Sequence, residues 1–163
     1  MTKKGIKMIK SNKIKLQLLL VFIVIIMVWL ISNQNQKPNI DSSIQDYVAE
    51  LKRPENLEET KILIPAITNM VMDADSDVLS GTTLFNPAGN PCYFQFTIVL
   101  EDGITIFESQ LVPPGKGISE AKLNRIIKEG TYDVIIRITS YDLNDHENEF
   151  NGGEIKSVLR ALG

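Results

Sequence analysis

The chain has 163 residues, 44% hydrophobic and 23% charged, with one cysteine and one histidine; it is long enough for one ordinary domain but holds no disulfide framework and no Cys/His metal cluster. The net charge of -3 hides an asymmetry: six of the 17 Lys and Arg (Lys3, Lys4, Lys7, Lys10, Lys13 and Lys15) precede every acid, leaving 11 against 20 Asp and Glu in the rest. So acidic a body excludes nucleic acid as a partner, because neutralising phosphates requires a concentrated basic surface.

Residues 1–15 form a basic segment, and 16–32 the expected membrane anchor. Leu16 to Ile31 is apolar apart from Gln17 and as a helix would span about 24 Å. That is short for a bilayer, but Ile14 extends the run and Lys13 and Lys15 can snorkel to the headgroups. Trp29 suits the far interface. The lysines place the N-terminus in the cytoplasm by the positive-inside rule, so the rest is expected outside, held by one transmembrane helix in the cell membrane. No Ala-x-Ala-like site follows the run, which favours a retained signal-anchor over a cleaved leader, and no cysteine follows for lipid modification.

Residues 33–60 read as a polar linker. Within it Ile40, Ile44, Tyr47 or Val48, and Leu51 recur at helical spacing, Ser42 and Gln45 resemble a capping box, and Pro54 gives a stop. This predicts a short amphipathic helix, either a spacer packed on its own domain or, over 42–52, a docking element. Glu55 to Glu59 then makes a charged connection.

From 61 to 163 short β-branched and aromatic runs are punctuated by Gly, Pro, Asn and Asp. Predicted strands are Ile62 to Thr68, Val78 to Phe85, Cys92 to Leu100, Ile104 to Ser109, Ser119 to Asn124, Tyr132 to Tyr141 and Glu154 to Leu162. Cys92, Phe94, Phe96, Ile98 and Leu100 share one face of their strand, and Tyr132, Val134, Ile136 and Ile138 one face of theirs, opposite Asp133, Arg137 and Thr139, so these two strands are expected to carry the core. Glu101-Asp102-Gly103 supplies hairpin-turn residues. Gly130-Thr131-Tyr132, opening a long alternating strand, reads as a tyrosine corner, in which the phenol bonds back to the chain upstream. The expected architecture is all-β: a seven-stranded antiparallel Ig-like or fibronectin-type sandwich after one transmembrane helix and one short amphipathic helix.

Asn86-Pro87-Ala88-Gly89-Asn90-Pro91 and Val112-Pro113-Pro114-Gly115-Lys116-Gly117 read as turn chemistry. With Phe85-Asn86-Pro87, Asn90-Pro91-Cys92-Tyr93-Phe94, Leu100-Glu101-Asp102-Gly103, Pro114-Gly115-Lys116-Gly117-Ile118, Gly130-Thr131-Tyr132 and Asn151-Gly152-Gly153-Glu154-Ile155-Lys156, the chain resembles small uncharacterised membrane-anchored surface proteins of low-GC Gram-positive bacteria. The resemblance covers roughly Lys61 to Leu159 plus the anchor and implies an Ig-like sandwich without an established activity. The chain departs from that pattern at Asn151-Gly152-Gly153, where Ala or Ser usually follows the first Gly, and in its short C-terminus. A tRNA uracil methyltransferase label has been attached to such proteins, and the residues oppose it: no strand runs into a Gly-rich helix start, and no second cysteine or base accompanies Cys92.

Little else suggests chemistry. Cys92, in an apolar alternation, reads as a small buried hydrophobe. Asp73, Asp75 and Asp77 alternate like a calcium loop, but Val78 stands where an EF-hand needs Gly and Leu84 where it needs Glu, leaving at most a weak calcium site shared with another loop. Asp142, Asn144, Asp145, His146 and Asn148 form a polar loop near one end and are the candidate contact surface. No cofactor or metal is expected, and no enzyme. The expected function is a non-enzymatic surface protein whose extracytoplasmic domain binds a protein partner, as an accessory subunit of an envelope assembly. The alternative is a cell-wall or carbohydrate binding module using exposed aromatics such as Phe107 or Tyr141; a glycan hydrolase would need paired carboxyls whose separation the sequence does not fix.

Overall fold

The computed structural model describes residues 15–29, 37–47, 54–58 and 60–163, and the chain divides into two units, Met1–Lys37 and Pro38–Gly163. In the first unit, residues 15–29 form a helix, α1, about 22 Å long at 1.5 Å per residue. Its apolar side chains are exposed all round, Phe22 at 61% and Trp29 at 63%. Among the described residues no helix is both long and apolar enough to cross a membrane; the remainder of the expected span, 30–32, lies outside them.

The second unit is built of strands. In chain order these are β1 (Ile44–Asp46), β2 (Asn69–Asp73), β3 (Ser76–Leu79), β4 (Leu84–Phe85), β5 (Cys92–Leu100), β6 (Thr105–Glu108), β7 (Lys116–Ile118), β8 (Ala121–Ile127), β9 (Gly130–Asp142) and β10 (Glu149–Leu162). They form a five-stranded sheet of order β2-β10-β9-β5-β6, a three-stranded sheet β1-β7-β4 and the pair β3-β8. The protein is thus mostly β, as expected, but with ten strands among the described residues instead of seven. Nor is it wholly antiparallel, since β2 runs parallel to β10, Asn69 opposite Val158 through Asp73 opposite Leu162.

A single core joins the sheets. β5 alternates buried and half-buried positions along its whole length, the pattern of a strand with one face on a core. Phe94 and Phe96 meet edge to face, 6.0 Å between ring centroids, and pack with Ile98, Ile136, Ile138 and Leu159; Leu79, Leu84, Ile118 and Leu123 contribute from the smaller sheets.

Residues 40–47 do not form the expected amphipathic helix. Ile40 bridges Leu111 in parallel, and Ile44, Gln45 and Asp46 pair with Ile118, Gly117 and Lys116. Their apolar spacing of four satisfies an alternating strand as well as a helix, and a helix of this length is marginal on its own, whereas docking on β7 pairs the backbone and lets Ile44 pack on the core. Of the capping-box pair, Gln45 Nε2 donates to Ser119 Oγ instead, and the turn into β1 is set by Asp41, whose Oδ1 accepts from the Ser43 N–H at 3.0 Å. Residues 48–52 of that expected helix lie outside the described set.

Two predicted strands are also corrected. Ile62 to Thr68 is irregular because the Leu63 N–H and carbonyl are both taken by the Asn90 side chain, each at 2.9 Å. Val78 to Phe85 is split by residues 80–83, which turn to cover the outer edge of β2: the Val71 N–H donates to Thr82 Oγ1 at 3.2 Å, and the Val71 carbonyl accepts from the Gly81 N–H at 3.0 Å. A Cβ on Gly81 would lie 2.4 Å from that carbonyl oxygen, so only glycine permits the approach. At the other edge Asn124 Nδ2 donates to the Thr105 carbonyl of β6 at 2.7 Å. Side chains and a tight turn thus cap backbone groups at both edges of the large sheet, where unpaired groups would otherwise invite association.

Candidate functional site

The loop between β9 and β10 contains the candidate contact residues. Asp142 is half-buried; Asn144, Asp145 and Asn148 are exposed and His146 is half-exposed. Asp142 Oδ1 accepts from the Asn144 and Asp145 N–H groups at 2.6 and 2.9 Å, and the Asn148 N–H donates to the Asp145 carbonyl at 2.8 Å. These acids organise the turn locally, as Asp and Asn side chains commonly do. The same geometry holds Leu143 outward at 39% exposure. Beside the loop, Asp142, Asn151 and Phe150 join Thr60, Ile62 and Pro91 around a hollow of about 400 Å³. The apolar half of this site was not legible in the sequence, because Ile62 and Pro91 approach Phe150 only through the fold.

Of the second candidate's aspartates, Asp73, Asp75 and Asp77, the last two are engaged by lysines. Asp75, at φ 57°, pairs with Lys128 at 2.6 Å, and Asp77 with Lys122 at 2.5 Å. The Asp75 hydrogen bond, then its charge, hold the Lys128 ammonium above its usual pKa. Among the described residues no group of three His, Cys, Asp or Glu is placed to hold a metal ion.

Cys92 is fully buried, and burial pushes its thiol up to about 11, which disfavours the nucleophilic thiolate. Tyr132 Oη donates to the Lys128 carbonyl at 3.0 Å across the turn from β8 to β9, and Gly130, at φ 155°, opens that turn. Of the aromatics proposed for sugar stacking, Phe107 is corrected: it is 8% exposed and belongs to the core, because a register shift in the β5–β6 pairing turns it inward opposite Ile98. Tyr141 is half-buried, its Oη donating to Gln95 Oε1 at 3.2 Å, and stands opposite Tyr93. Burial, then the Glu149 and Glu108 carboxylates, raise its phenol pKa.

Sequence reading treated Asn86 and Asn90 as turn residues, yet both are buried. Asn86 Nδ2 donates to the Cys92 and Val112 carbonyls, and Asn90 Nδ2 donates to Asn86 Oδ1, all at 2.9 Å. The pair joins the 63, 92 and 112 segments into one polar hub, a structural role that needs no ligand. Compared with known proteins, the chain matches no family model, no curated protein and no solved structure.

Proposed function

We propose that this chain is a non-enzymatic, membrane-anchored surface protein whose Ig-like domain, outside the cytoplasm, contacts a protein partner through the end formed by the β9–β10 loop, as an accessory subunit of an envelope assembly. The observation that carries this reading is exposed Leu143 on a turn fixed by Asp142, beside the hollow lined by Ile62, Pro91 and Phe150. An apolar centre with a polar rim is the anatomy of protein interfaces. The anchor rests on the apolar run from Leu16 and the lysines before it. The Ig-like type is supported by the run β10-β9-β5-β6, which matches the G-F-C-C′ order of such sandwiches, by β3-β8 as their B–E pair, and by the Tyr132 bond across the β8–β9 turn.

The test places a photo-crosslinking residue at Leu143 in full-length chain in intact cells, with Ile126 as a control position. One envelope protein crosslinked from 143 and not from 126, and lost in Phe150→Asp, supports the reading; equal labelling from both positions overturns it. A second reading, a cell-wall or carbohydrate binder, is favoured by Tyr93 and Tyr141 facing each other beside Gln95 on the solvent side of the large sheet. It requires the chain to sediment with purified cell wall and Tyr93→Ala to abolish this.

A further inference from the structure

The β9–β10 hairpin contains the only Asn-Gly pair in the chain, Asn151-Gly152. The register shifts between Phe150 and Gly153, so both residues fall outside the paired ladder, as at a β-bulge. Asn151 is exposed, and its carboxamide has no hydrogen-bond partner among the described residues. Its backbone carbonyl is not free, because Ser140 Oγ donates to it at 2.9 Å. A Cβ on Gly152 would lie 2.0 Å from the Ile138 carbonyl oxygen, so the bulge requires glycine here and places the least hindered peptide nitrogen directly after an exposed asparagine.

From these facts we infer that Asn151 is a site of spontaneous deamidation in the folded protein, promoted by the Ser140 hydroxyl. The Gly152 nitrogen loses its proton to hydroxide and attacks the Asn151 side-chain carbonyl carbon. A carbon–nitrogen bond forms, ammonia leaves, and a five-membered succinimide results. Water then opens the ring at either carbonyl, giving aspartate or isoaspartate. As the Gly152 nitrogen deprotonates, negative charge spreads onto the Asn151 carbonyl oxygen, where Ser140 donates; a donor aimed at developing charge favours that state. The buried Asn86 and Asn90 are each followed by proline, which has no N–H to lose, so the route is closed at the polar hub and open at the hairpin. The product adds a negative charge beside Glu149 and Glu154, and isoaspartate also adds a backbone methylene next to Phe150.

The experiment incubates purified full-length chain at neutral and mildly alkaline pH and follows each asparagine by peptide mass and isoaspartate labelling. Residue 151 is expected to convert faster than Asn144 and Asn148, at a rate rising with hydroxide, and Ser140→Ala is expected to slow it roughly fivefold. Should Ser140→Ala fail to fold, comparison of native with urea-unfolded wild-type chain decides: a native rate equal to or above the unfolded rate supports the inference, and a lower native rate overturns it.

Discussion

At the residue scale the strongest constraints fall on polar groups inside the core. Asn86→Ala removes donors to two carbonyls and the acceptor of Asn90, leaving buried groups unpaired, and is expected to lower stability by about 2–4 kcal/mol in urea unfolding. Ser157 is the opposite case: it is 4% exposed and its hydroxyl has no partner among the described residues. Ser157→Ala is therefore expected to be neutral or stabilising by up to about 1 kcal/mol in the same assay. Cys92 gives a pH dependence. Its thiol stays neutral in the fold up to about 11, whereas the unfolded thiol ionises near its ordinary value of about 8.5. Above that value the unfolded state holds fewer protons, so stability falls as pH rises, and the contribution is intact below it. Between pH 8 and 10 the wild type should lose more stability than Cys92→Val, measured by chemical denaturation at each pH. Sequence reading reached Cys92 through its alternating neighbours, but missed the role of Asn86 and Asn90, because a side-chain amide that bonds segments remote in sequence leaves no periodic trace.

At the element scale, legibility followed the strength of the alternation. β5 was delimited to the residue, and β9 within two at its start and one at its end, because each has one face on the core throughout. β7 was missed because Lys116, Gly117 and Ile118 lie against a Pro-Pro-Gly turn, and β1 was misread because its apolar positions suit both periods. The β1 docking has a practical consequence. Starting the chain at 61, where the sequence suggested the domain begins, removes Ile44, which packs against the core, and the ring contact of Tyr47 with Phe85, 4.5 Å between centroids, and bares the edge of β7. Relative to a chain starting at 38, it is expected to be about 2–4 kcal/mol less stable and to self-associate, which thermal melts and light scattering measure. The β2 edge gives a sharper test: Gly81→Ala forces a Cβ against the Val71 carbonyl and is expected to cost at least about 2 kcal/mol while raising the tendency to aggregate.

At the scale of the whole molecule, the sequence conveyed the class of the fold and the polarity of its charge, but not the connectivity of the sheets. Alternation states which face a residue takes, not which strand lies beside it, and the β2–β10 pairing joins Asn69 to Val158. The candidate loop was legible as polar residues between two strands, while the apolar hollow beside it was not. That same pairing also sets an order in time. Because β2 takes its backbone partner from residues 158–162, it must wait, without its neighbour, until that segment has been synthesised. Pairing over such a separation is slow, and through that interval Met70 and Met72, later buried, stay uncovered.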